Sequence, residues 1–215
     1  MKFAALLLLA ALPGVLPAPL DSQVVLARYA SALANLAVPK AEIFTYSVSQ
    51  AGPSDIEQRH RIYRSGIEVR DETLELNGVP LRHKIVRISR RADAYAVSSL
   101  APRADAYALL FLDAIRDGSH LDYVYQAMPL IRSATGFTVD RVTIDGETFL
   151  PRAIDFHSSG SAASGSGRIE FGPFGGHWMV ASASVSAVVA GSIARERITF
   201  GDYRFPAMLP RSTFL

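Results

Sequence analysis

From residue 137 onward, apolar and polar residues alternate in short runs. Val142 and Ile144 alternate with Arg141, Thr143 and Asp145, and Ile154 and Phe156 with Arg152, Asp155 and His157. Ile169 and Phe171 alternate with Arg168 and Glu170, and Ile198 and Phe200 with Arg197 and Thr199. A longer run starts at Trp178 and passes through Val185, Val188 and Val189. Period two marks strands with one buried face. Turn signals separate them at Asp145-Gly146, the Ser/Gly tract 158–167, Gly172-Pro173, Gly175-Gly176 and Gly191, so a curved antiparallel meander is predicted.

The first half carries two periods. Val25, Tyr29, Ala32, Leu33 and Leu36 recur at helical spacing behind a cap at Asp21 or Ser22, giving an amphipathic helix that ends near Pro39. Phe44, Tyr46 and Val48 then alternate with Thr45, Ser47 and Ser49 in a strand closed by Gly52-Pro53. Further strands are read over 56–64, after Gly66 through Leu74 and Leu76, and over 81–90 beyond the Asn77-Gly78 turn. Tyr107, Leu110, Phe111, Ala114 and Ile115 return to helical spacing and predict a short helix ending at Asp117-Gly118. A strand over 121–127 and a loop over 128–136 lead into the meander. The expectation is a mostly β (α+β) chain: a long curved antiparallel sheet forming an unclosed β-barrel. Its N-terminal helix and a short helical insertion cover the concave face. Strand twist makes so long a sheet curl, and incomplete cover leaves a cavity.

Composition adds location rather than chemistry. With 22 basic and 20 acidic side chains in 215 residues, the formal charge of +2 gives no case for nucleic acid. Lys2 followed by an apolar run over 3–12 and by Pro13-Gly14 reads as a secretory signal peptide, with residues 1–18 removed and 19–215 forming one domain. The run is about half the roughly 20 residues a membrane-spanning helix needs. The absence of cysteine excludes disulfides and a lipidated cysteine. The expected location is periplasmic or secreted.

The leader, the helix VVLARYASALANL and the strand FTYSVSQAG resemble the start of the bacterial periplasmic lipoprotein-carrier superfamily, which is LolA-like with LppX and RseB relatives. The closing segments VTIDGETFLPRAIDFH, GSGRIEFG and ARERITFGDYRFPAMLPRSTF are similar to it as well. That resemblance implies an unclosed barrel with helices as a lid over a hydrophobic cavity, and a role in binding lipid or acylated cargo.

Cavity-lining candidates are Phe44, Tyr46, Val48, Ile154, Phe156, Ile169, Phe171, Ile198 and Phe200, with Tyr107, Leu110 and Phe111 as lid. The same residues would equally fill a solid core. His60, His83, His120, His157 and His177 show no metal-ligand spacing and read as solvated strand residues. The Ser/Gly tract holds no nucleophile elbow and reads as a flexible hairpin loop. Arg59, Arg61, Arg64, Arg70, Arg82, Lys84, Arg87, Arg90 and Arg91 read as a solvated face with cross-strand ion pairs, or as a stripe meeting an anionic membrane surface. Trp178 reads as a core or rim residue, and Asp202 and Tyr203 as clamps on the sheet end. No catalytic set and no cofactor motif is present. Two readings remain: a non-enzymatic exported carrier for lipid, acyl chains or lipoproteins, and an envelope sensor or assembly protein whose groove or basic face binds a protein partner.

Overall fold

The computed structural model describes residues 18–52, 55–90, 96–118, 120–131, 136–159, 163–189 and 191–215. The apolar run over 3–12, expected to be a signal peptide, and Arg91 lie outside the described residues. Eleven strands form one antiparallel sheet that does not close. They are β1 (Ala41–Ala51), β2 (Ile56–Ser65), β3 (Glu68–Leu76), β4 (Val79–Arg90), β5 (Tyr107–Asp117), β6 (His120–Pro129), β7 (Phe137–Asp145), β8 (Pro151–Ser159), β9 (Ala163–Phe174), β10 (His177–Val189) and β11 (Ser192–Arg204). Their order is β4-β3-β2-β1-β11-β10-β9-β8-β7-β6-β5. Every sequential pair is therefore adjacent except β4 and β5, which form the two edges. The described part of the link between those edges carries the short helix α2 (Val97–Leu100), whose Val97 is buried.

One face of the sheet is apolar. A row runs across it through the register pairs Val48↔Ile198, Ile198↔Ala183, Ala183↔Ile169, Ile169↔Ile154, Ile154↔Val142 and Val142↔Tyr125. The N-terminal helix α1 (Ser22–Ala34) lies on this face and buries Val25 and Tyr29 against it. Asp21 caps α1 by accepting from the Gln23 N–H at 2.8 Å. Tyr125 donates its hydroxyl proton to the Ser22 carbonyl at 2.9 Å, and Tyr29 donates to Pro102 at 2.9 Å. Both rings are buried. Burial drives the Tyr29 phenol upward, and burial together with nearby Tyr123 and Asp21 pushes Tyr125 up to about 12. A smaller cluster, Phe44, Ile62 and Val69, packs under the β1–β3 end with Tyr46, Phe200 and Tyr203 against it. Beside it Arg64 donates to Glu42 at 2.6 Å, with both side chains buried.

Four local expectations are corrected. Residues 107–115 form strand β5, not a helix, so Tyr107, Leu110 and Phe111 sit on a sheet edge; the short helix is α2 instead. A spacing of four is also an even spacing, and the apolar run 107–112 fits either period. β6, joined through Gly118 at φ +58°, supplies the strand partner. A bulge between Phe111 and Asp113 then turns Ala114, rather than Ile115, toward the core. Second, the described part of the Ser/Gly tract belongs to β8 and β9. Gly167 is needed there because a Cβ would stand 3.0 Å from the Phe156 ring and press on the Ser184 carbonyl. Third, Gly172 and Pro173 lie within β9, and the turn falls at Gly175-Gly176. β9 pairs with β8 only as far as Glu170, so Pro173 sits where no β8 partner needs its missing N–H. Fourth, His60 is buried rather than solvated; it stacks on Tyr46 at 4.6 Å, and both ring nitrogens are engaged, by Asp71 at 2.8 Å and Gln58 at 2.9 Å.

Candidate functional site

The apolar stripe of α1 is wider than the sheet beneath it covers. Leu26, Tyr29, Ala30, Leu33 and Ala34 recur at i, i+3, i+4, i+7 and i+8, and this flank overhangs the edge strand β5. Between them lies a cavity of about 460 Å³, closed on the far side by Tyr107 and Leu109 of β5 and by Ser98, Arg103, Ala104 and Asp105 of the α2–β5 connection. The volume falls within the roughly 300–1,000 Å³ of ordinary small-molecule sites. Its charged members stand together: Arg103 pairs with Asp105 at 3.1 Å, and both are well exposed. An apolar hollow with one charged rim accepts an apolar chain and leaves a polar end in water.

Two contacts hold the frame of this cavity. The Tyr29 hydroxyl ties α1 to Pro102, and the Tyr107 hydroxyl accepts from the Val139 N–H at 3.2 Å, tying β5 to β7. Beyond the mouth, Leu110, Phe111, Leu112 and Ile115 are exposed along the edge. Phe111 sits edge-on to Tyr125 with ring centroids 5.6 Å apart.

The residues expected to line a cavity are all on the helix-facing side but are mostly packed. Ile154, Phe156, Ile169 and Phe171 are buried beneath α1. Phe44 is buried in the smaller cluster, and Tyr46, Val48, Ile198 and Phe200 are half-buried. Of the three lid residues, only Tyr107 lines the 460 Å³ cavity. Leu26, Ala30, Ala34, Leu109 and the Arg103–Asp105 rim were not singled out in the sequence. The helical spacing of the first three was readable there, whereas the rim depends on the chain crossing from one sheet edge to the other.

Four cations of the basic segment make ion pairs within the sheet. Arg59 pairs with Glu75 and Asp202, Arg64 with Glu42, and Arg70 and Lys84 both with Glu72. Burial alone would raise the Glu72 carboxyl, but the hydrogen bonds and charges of Lys84 and Arg70 outweigh it and hold it below its ordinary range. Trp178 donates to Pro151 at 2.8 Å, Tyr203 donates to Val180 at 2.8 Å, and Asp202 accepts from Thr45 at 2.7 Å, so these residues do clamp strands.

His120, Asp122 and Asp145 bring three potential metal-ligand atoms within 4.8 Å of one another. Their oxygens are already occupied. Arg152 contacts Asp122 at 3.2 Å, and Asp145 Oδ1 accepts from Glu147 N–H, Thr148 N–H and the Thr148 hydroxyl. His120 bridges the two carboxylates at 3.0 and 3.2 Å. This cluster fixes the β6 and β7–β8 corner.

No protein-family model matches the sequence, and no curated protein matches it. Solved structures share the fold. A proposed outer membrane lipoprotein-sorting protein domain from Vibrio parahaemolyticus superposes with a TM-score of 0.50 at 13% identity, over 90% of this chain and 97% of that one. A DUF1329 family protein from Desulfovibrio piger gives 0.50 at 12% identity, over 89% and 97%. A LolA superfamily protein from Nitrosomonas europaea gives 0.44 at 13% identity, over 92% and 98%. The resemblance read from the sequence holds at the level of the fold.

Proposed function

We propose that this chain is a non-enzymatic binding or carrier protein of the bacterial envelope, acting outside the cytoplasmic membrane on lipid or acylated cargo. The cavity between α1 and β5, apolar inside and charged at one rim, carries the reading. The shared fold with a proposed lipoprotein-sorting domain supports it. An acyl chain enters between the helix and the edge strand, with its polar end at Arg103 and Asp105. The packed residues Ile154, Phe156, Ile169 and Phe171 belong to the same core cluster as Val25 and Tyr29 of α1, so lifting the helix would extend the hollow toward them for a longer chain. Burying about ten methylenes gains roughly 8 kcal/mol, equivalent to micromolar binding before ordering costs.

The test is saturable uptake of a fluorescent fatty-acid analogue by the purified mature protein. Ala30→Trp, on the exposed flank of α1, fills the cavity without a core change and is expected to abolish uptake while leaving the melting curve in place. Leu33→Asp is expected to abolish it too. Undiminished uptake by both variants would overturn the assignment. A wild-type protein that takes up no analogue favours the second reading, a protein partner, for which the exposed apolar edge Leu110, Phe111, Leu112 and Ile115 is the supporting observation.

A further inference from the structure

A second hollow lies on the other side of the sheet. It is a trough of about 730 Å³ in the outer face, across β7, β8, β9, β10, β11 and β1. Two arginines of β11, Arg195 and Arg197, stand in it on the same face, two residues apart. Their cross-strand neighbours are Ser186 and Ala51 for Arg195, and Ser184 and Ser49 for Arg197. A charged strand residue can face an opposite charge across the ladder, as two other arginines of this face do. Arg168 pairs with Asp155 at 2.9 Å, and Arg59 pairs with Glu75 and Asp202. Among the described residues Arg195 and Arg197 form no ion pair, and serines stand beside them on β10. Of the carboxylates that also line the trough, Asp155 is taken by Arg168 at 2.9 Å and Asp140 by His157 at 2.7 Å, and Glu196 alternates with the two arginines along β11.

We propose that this trough is a phosphate-binding site, taking a phosphate monoester or diester between the guanidinium groups of Arg195 and Arg197 with the Ser184 and Ser186 hydroxyls as further donors. Guanidinium is a rigid fork of donors that matches paired oxyanion oxygens. Two such forks with hydroxyls beneath them suit a tetrahedral oxyanion with several acceptor oxygens. The site faces away from the apolar cavity and is independent of it. The phosphate has two possible sources, an anionic lipid headgroup or a free phosphate ester.

The experiment measures binding of the full mature chain to phosphatidylcholine vesicles with and without phosphatidylglycerol, and calorimetric binding of free glycerol phosphate. Wild type is expected to bind in at least one arm. Vesicle binding alone assigns the site to lipid headgroups, and binding in both arms assigns it to the phosphate group itself. R195Q/R197Q is expected to weaken binding about 30-fold, from the contribution of each cation near an anionic surface. Ser184→Glu, which places a carboxylate directly across from Arg197, is expected to weaken it comparably. Arg152→Gln removes one charge at a distant, paired position and serves as the control. Three results would each overturn the proposal: no wild-type binding in either arm, a loss in the control equal to that in R195Q/R197Q, or equal binding of an acidic peptide that carries no phosphate. Uptake of the fatty-acid analogue by R195Q/R197Q is expected to be unchanged, so failure here and failure of the carrier reading are separable.

Discussion

Removing Arg64 is expected to cost far more than removing Arg64 and Glu42 together. The Arg64 and Glu42 side chains are 5% and 0% exposed, and Nε meets Oε1 at 2.6 Å. The second Glu42 oxygen has no partner among the described residues, so Arg64 alone offsets the burial of that charge. Arg64→Met leaves a buried carboxylate uncompensated, at about 3–5 kcal/mol. In a chain of this size each kcal/mol lowers the melting temperature by roughly 2–4 °C, so a fall of about 6–20 °C is expected. Glu42→Leu strands the guanidinium and costs a similar amount. The double variant Glu42→Leu/Arg64→Met replaces both charges by apolar volume and is expected within about 1 kcal/mol of wild type, or above it. Urea unfolding followed through the single tryptophan, Trp178, supplies the four corners of the cycle. An Arg64→Met variant within about 1 kcal/mol of wild type, or a double variant costing the sum of the two single changes, would refute the reasoning.

Gly167→Ala sets a methyl group against the Phe156 ring and the Ser184 carbonyl and is expected to cost about 1–3 kcal/mol by overpacking, read by the same urea assay. Tyr29 and Tyr125 keep their protons in the fold at pH values where the unfolded chain loses them. Their stabilisation is therefore complete below pH 10 and lost as pH rises toward 12; Tyr29→Phe and Tyr125→Phe should flatten that alkaline decline, and an unchanged slope in both would contradict their burial. Glu72 has the opposite sign, because its depressed carboxyl stabilises the fold above its ordinary value of 4.5 and ceases to do so as pH falls through the folded value. Lys84→Met is accordingly expected to destabilise the protein at pH 7 more than at pH 3. Asp21→Ala removes the α1 cap and should cost about 1 kcal/mol, visible as earlier loss of helical circular dichroism.

Strands and turns were legible wherever a local rule decides them. Asn77 and Gly78 take φ +50° and +75° as their hairpin requires, and the alternation at Ile154, Phe156, Ile169 and Phe171 places all four beneath α1. The errors fall where local rules give two answers. Residues 107–112 are apolar at nearly every position, so only the neighbouring strand β6 decides between helix and strand. The Gly and Ser residues of 163–167 look like a loop because the role of the glycines is relational: Gly167 admits the Phe156 ring and the Ser184 carbonyl, and Gly165 the Ser186 carbonyl. A cavity was expected, but its position beside β5 was not legible for the same reason, since the stripe on α1 was visible while the opposite wall comes from a segment about 70 residues away in sequence. Uncommitted arginines at 195 and 197 acquire meaning only once the register sets serines beside them.

The pairing of β1 with β11 also has a kinetic side. Every other strand pair joins sequential strands, so its loop is short and its closure entropy is small. The β1–β11 seam instead ties residues such as Thr45 and Asp202, 157 positions apart, a closure costing on the order of 4.5 kcal/mol by the logarithmic rule. A chain that emerges with its N-terminus first can zip β1 to β4, and later β5 to β10, as separate hairpin arrays. The two arrays stay unjoined until the final strand arrives. Until then β1 waits with an open edge, and that interval is when the chain is most exposed to pairing with the wrong partner.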